Sequence, residues 1–159
     1  MHKDMRRKDK LLTDEESRVI LEKGEYGTLS TVTADGEPYG VPISYVLMRD
    51  AIYIHSATTG EKVDNIAANP AVCFSVVSSA EPFGGQPGFS TYFESCIVFG
   101  TAREVTDDEG KREAFHAMAM KYLPDYMHLF EQEIKKINST KVFAISLDKV
   151  SGKAKKKPA

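Results

Sequence analysis

The sequence predicts a mainly β, α+β fold, an antiparallel barrel or sandwich with peripheral helices. Three observations predict it. Five or six β-prone segments follow one another at hairpin spacing, most of them joined by turns and not by helices, which argues against a parallel sheet. Helical patterns are few and lie between or beside these segments. The chain has 159 residues, 42% apolar and 28% charged, which suits one globular domain with its own core.

The elements follow in order. Residues 1–12 form a basic arm, MHKDMRRKDKLL. Thr13 opens a short helix, because Glu16 stands three residues on and completes a capping box; Lys23-Gly24 supplies a glycine stop. Residues 26–33 are β-prone, and ADGE at 34–37 provides an Asp-Gly turn. The next β segment, 39–48, contains Pro42, which argues for an edge or bulged position. A third strand covers 51–56, with Ile52 and Ile54 on one face and Tyr53 and His55 on the other. After the loop ATTGEK a helix spans 61–69, ended by Pro70. A fourth strand spans 71–78. The Gly/Pro-rich stretch 79–90 reads as a loop, a candidate lid or interface element. A long β segment spans 90–105. Thr106 with Glu109 predicts a second capping box and a helix to about Tyr122; a further helix covers roughly 125–137. The last strand is 141–148. The core domain is therefore 13–150, and the basic 151–159 reads as a flexible tail.

Composition excludes several function classes. Net charge is −2, so no global field attracts nucleic acid or an anionic membrane. No apolar run approaches the length of a membrane span, and the charged N-terminus lacks the apolar region of a signal peptide. Cys73 and Cys96 lie inside apolar runs without metal-ligand spacing, so they read as reduced core thiols of a cytoplasmic protein, and no metal site is expected. The four histidines form no catalytic or metal-spaced cluster.

The informative stretch is Ile54-His55-Ser56-Ala57-Thr58-Thr59-Gly60-Glu61-Lys62. A strand ends in hydroxyl-bearing residues, passes a glycine and enters a helix with a lysine in its first turn. Free N–H groups at a helix start attract anions, Ser56, Thr58 and Thr59 can donate, and Lys62 adds a full charge. This is a candidate phosphate pocket but not a Walker A loop. An ordinary capped loop is the alternative.

With these residues in view, the chain resembles the pyridoxamine 5′-phosphate oxidase-like FMN-binding split-barrel superfamily, and within it the nitroimidazole-resistance branch. The matching pieces are Met5-Arg6-Arg7-Lys8, Gly27-Thr28-Leu29, DGEPYGVPISYV at 35–46, IYIHSATTGEKVDNIAANPAVCFSVV at 52–77, STYFESCIVFGTAREV at 90–105 and the helix 107–122. The resemblance implies an antiparallel split β-barrel with FMN in a groove between the subunits of a homodimer. It puts Pro42, Ile43, Ser44 and Tyr45 along the isoalloxazine ring. Ile54, His55, Ser56 and Ala57 support the ring and ribityl chain, and Ser56 and Lys62 hold the phosphate. Thr91, Tyr92 and Ser95 approach from a facing strand, and His55 stands near the flavin as the candidate catalytic residue.

The chain also departs from the oxidases that name the superfamily. These end in a strand carrying Trp and an Arg-Leu-x-Pro pattern; Trp is absent here and the chain ends AISLDKVSGKAKKKPA. Vitamin B6 oxidation is not expected. The resemblance instead points to an FMN-dependent oxidoreductase that reduces small nitroaromatic substrates; the alternatives are a non-catalytic flavin- or cofactor-binding module and a small-ligand domain without flavin. There is no Rossmann fingerprint, so a nicotinamide donor would dock transiently.

Overall fold

The computed structural model describes residues 4–86 and 88–158. Seven strands form one antiparallel sheet: β1 (Tyr26–Val32), β2 (Pro38–Met48), β3 (Ala51–Ala57), β4 (Ala71–Gly85), β5 (Gly88–Val105), β6 (Thr140–Ser146) and β7 (Lys149–Lys155). Their order is β4-β1-β2-β3-β6-β5-β7, and an additional β4–β5 pairing closes six of them into a ring. The expected antiparallel split barrel is what the chain adopts.

The split follows from two strands that change partners along their length. The first half of β2, Pro38–Ser44, pairs with β1, and the second half, Tyr45–Met48, pairs with β3. β5 pairs with β7 over Phe93–Phe99 and with β6 over Ala102–Val105. Pro42, which lacks an N–H, sits where β2 has only β1 as a neighbour, so the edge position expected for it is the one observed.

Alternation fills the barrel. Leu29, Tyr45, Ile52, Ile54, Phe74, Val76, Cys96, Val98 and Ile145 point inward and form one buried cluster. The helix α1 (Asp14–Lys23) closes one side with Ile20 and Leu21. Its capping box is as expected: Thr13 Oγ1 accepts from the Glu16 N–H at 3.2 Å, and the Glu16 carboxylate accepts from the Thr13 N–H at 3.0 Å. Gly24 ends α1 for a reason the sequence does not show. Its φ is −63°, not left-handed, but a Cβ there would stand 2.6 Å from the Tyr45 hydroxyl.

Several expectations are corrected. Residues 151–155 are not a flexible tail: they continue β7, with Gly152 and Ala154 buried and the lysines between them facing out. Charge hid a period-2 pattern, and the core domain therefore runs past 150. Residues 4–12 of the arm lie along that strand, with Lys8–Lys10 in a 3₁₀ turn and the Leu12 N–H donating to the Gly152 carbonyl at 3.1 Å; residues 1–3 of that expectation, like Pro87 and Ala159, lie outside the described residues. Residues 79–85 and 88–90, expected as a loop, extend β4 and β5 into a paired arm beyond the barrel. The helix α3 (Asp108–Tyr122) is capped by Asp107, whose carboxylate accepts from the Gly110 N–H at 2.6 Å; Thr106 has no part in it. The expected helix at 125–137 is a chain of short turns, 3₁₀ at Pro124–Leu129 and Ile134–Ser139 around α4 (Phe130–Glu133). No helix among the described residues is long and apolar enough to cross a membrane.

Candidate functional site

The partner change in β2 opens a slot. Pairing between β2 and β3 ends at Tyr45–Ile54. Beyond that point β3 continues through His55, Ser56 and Ala57, held only by β6, while β2 runs back through Ser44, Ile43 and Pro42, held only by β1. Two strand edges therefore face each other without a ladder between them, and unpaired strand edges carry backbone donors and acceptors ready for a ligand.

The helix α2 (Glu61–Ala68) starts four residues after β3 ends, so its first turn stands at the foot of the slot. Gly60 caps it with φ +129°, a conformation that excludes ordinary side chains, and no side chain caps the first turn. α2 is fixed from below. Val63 and Ile66 enter the core, and Asn65 Nδ2 donates to Thr31 Oγ1 at 3.0 Å in a buried contact. Lys62 is half-buried and makes no ion pair among the described residues. Uncapped amides, a lysine and the exposed Thr58 and Thr59 together make a donor set with the chemistry of a phosphate site.

His55 lies on the outer face of β3, as the alternation predicts, beside α3: its ring is 5.7 Å from that of Phe115. Partial burial there, and then the Lys62 charge, pull its pKa below the ordinary histidine value. The neutral imidazole is the favoured form.

Other sequence-predicted residues divide. Pro42 and Ser44 lie on the outer face of β2, whereas Ile43 packs toward the core. Tyr45 and Ile54 cannot present side chains to a ligand. Both are fully buried, and the Tyr45 hydroxyl donates to the Leu21 carbonyl at 2.7 Å while its ring meets Phe74 edge-on. Ser56 also points inward, and its Oγ is buried without a hydrogen-bond partner. A ligand in the slot meets these three through their backbone. Thr91 and Tyr92 lie on the β4–β5 arm, opposite Pro82 and Glu81, and Ser95 lies where β5 runs between β4 and β7; none of the three pairs with β2 or β3.

Three neighbours were missed as site residues. Phe115 beside His55 is one of several apolar residues at helical spacing on α3, a pattern that by itself marks packing. Lys121 and Tyr122 end α3 against the strands: Lys121 Nζ donates to the carbonyls of Gly24 (2.7 Å) and Tyr45 (3.0 Å) and sits 4.0 Å from the Tyr45 ring. Burial pulls Lys121 down to about 8. No local pattern reveals contacts made across 60 residues or more.

A family model described as pyridoxamine 5′-phosphate oxidase matches residues 13–154. The chain belongs to that family. The match includes most of β7, which agrees with the domain extending past residue 150. Solved structures share the family fold. A candidate 5-nitroimidazole antibiotic resistance protein from Bacteroides thetaiotaomicron is 22% identical, covers 90% of this chain and 85% of its own, and superposes with a TM-score of 0.81. The flavocytochrome Anf3 from Azotobacter vinelandii is 19% identical over 98% of this chain and 73% of its own, with a TM-score of 0.83. An FAD-binding protein from Mesorhizobium loti is 25% identical over 92% of this chain and 97% of its own, with a TM-score of 0.65. No curated protein matches the chain.

Proposed function

We propose that the protein is an FMN-dependent oxidoreductase that holds the flavin in the slot between β2 and β3, at the interface of a homodimer, and reduces small nitroaromatic compounds in the cytoplasm. The observation that carries this reading is the end of β2–β3 pairing at Tyr45–Ile54, with the uncapped first turn of α2 following β3 by four residues and bearing Lys62, which makes no ion pair among the described residues. Structural neighbours that bind FAD and haem or FAD support the flavin, and the neighbour from Bacteroides supports the substrate class.

FMN supplies two-electron transfer when bound. The chain's own residues do the rest. Lys62 and the first amides of α2 bind the phosphate. The open edges at 42–44 and 55–57 offer backbone hydrogen bonds to the ring's polar rim. Thr91, Tyr92 and Ser95 pair with neither slot strand in their own protomer, so we assign them to the partner's slot. Nitro reduction consumes protons, and His55 on the outer face of β3 is placed to deliver one at an imidazole nitrogen. Its lowered pKa favours a second reading, a flavin-binding module with little turnover at neutral pH.

The test is the absorbance of the purified protein with mass analysis of whatever denaturation releases. Flavin bands and the mass of FMN are expected. A folded, colourless protein that takes up no FMN on titration overturns the reading.

A further inference from the structure

Between α3 and the segment 124–139 lies a cleft of about 220 Å³. Phe115 and Ala119 line it from α3, Phe130 from α4 and Ile137 from the following turn. Its polar lining residues are Thr140, Glu133 and Lys136. Lys136 Nζ donates to the Glu133 carboxylate at 2.9 Å, so that pair presents no net charge. Phe130 is held from outside the cleft, with the Arg112 guanidinium 5.2 Å from its ring and His116 edge-on at 5.1 Å. Arg112 is also paired with Glu131. The aromatic wall is thus set before any ligand arrives.

Two observations join this cleft to the slot. Phe115, which lines it, is the ring that meets His55. Thr140 is the direct cross-strand partner of Ala57, the last residue of β3. Size and polarity then define an occupant. An apolar cavity of about 150 Å³ accommodates benzene, so this cleft has room for a single six-membered ring with a small substituent. Two phenylalanine rings favour an aromatic face. A neutralised ion pair gives no counter-charge to an ionic ligand, and one hydroxyl offers a donor to an acceptor on the ring.

We propose that the cleft is the substrate pocket, that it takes an uncharged single-ring aromatic carrying a hydrogen-bond acceptor, and that Ala119 and Ile137 set the ring size it admits. The proposal relies on the flavin reading for the fate of the ring but not for its binding.

Equilibrium binding to the protein as purified tests it, with nitrobenzene and 1-nitronaphthalene as probes and flavin content measured separately by absorbance. Nitrobenzene should bind at least about tenfold tighter than 1-nitronaphthalene, as a filled apolar pocket discriminates by size. Ala119→Leu should weaken nitrobenzene by about tenfold or more, with flavin content and melting temperature unchanged. Ile137→Phe should do the same, and serves if Ala119→Leu does not fold. Thr140→Val should weaken nitrobenzene several-fold, as loss of about one hydrogen bond does, and leave benzene binding alone. Equal affinity for both nitro compounds, or no effect of either filling variant, overturns the proposal. Ring binding in a protein without flavin overturns only the flavin reading; flavin bound with no ring binding overturns only this one.

Discussion

The Tyr122 hydroxyl accepts from the Tyr45 N–H at 3.0 Å and lies 2.7 Å from the carbonyl oxygens of both Tyr45 and Glu25, to either of which it can donate. The end of α3 thereby occupies the place a strand would take beside β2, just before β1 begins, and it anchors the helix that carries Phe115. Tyr122→Phe removes these bonds and leaves part-buried backbone groups unpaired. A loss of roughly 1–2 kcal/mol is expected, or about 2–8 °C in melting temperature. An unchanged melting temperature would show that water replaces the hydroxyl at no cost.

Lys62 is the residue proposed to make the charge contact to the phosphate. Lys62→Ala should weaken FMN about tenfold to a hundredfold, from a charge-assisted bond of roughly 1.5–3 kcal/mol, and leave riboflavin affinity nearly unchanged. Fluorescence titration with both ligands reads the difference. Equal losses for both would mean that Lys62 supports the fold of α2 and not the phosphate.

His55 makes the acid limb of the protein pH-dependent in two ways. Its folded pKa is lowered, so folding favours the neutral ring. That stability is fully present above the unfolded value near 6.5 and is lost as pH falls through the folded one. If His55 delivers the proton, turnover of a nitro compound rises on the same descent. His55→Ala should keep flavin and fold, lower turnover by roughly a hundredfold, and flatten both dependences. Full turnover in that variant would leave His55 only a packing partner of Phe115.

The outer face of the barrel is the surface that the proposed homodimer would use. Val77 on β4 is 60% exposed and Ile97 on β5 is 42% exposed, although both lie in the middle of paired strands. Apolar side chains on a sheet's outer face need cover, and a stable dimer buries about 800 Å² on each subunit. Ile97→Glu should convert a dimer to a monomer in light scattering and release flavin with it. A wild-type monomer that retains flavin would refute a shared site.

The two thiols differ in the same way. Burial holds Cys96 up at about 11 and raises Cys73 less far, while Cys73 remains half-exposed. Alkylation in the native state should label Cys73 alone, and Cys96 only on unfolding; equal rates would mean that the β4–β5 wall opens readily.

Much of the fold lay in local pattern. The Thr13 cap, the Asp-Gly turn, the outward His55 and the glycine before Lys62 are read from neighbours within a few residues, because capping and strand alternation act over that range. Tertiary structure decided what local pattern could not. Residues 151–155 look like a charged tail until Gly152 packs against Ser17 of α1 and Ala154 is buried, and Ser56 looks like a ligand donor until the barrel closes over it. Which edge of β2 stays open depends on where β1 and β3 start, and Phe115 reaches His55 from 60 residues away. The sequence by itself determined the strands, their inward faces and a phosphate-like donor set. Only the closed, partner-switching sheet decided that this set stands at an unpaired slot beside an aromatic cleft, since contacts of long sequence separation form only after the chain has closed its loops.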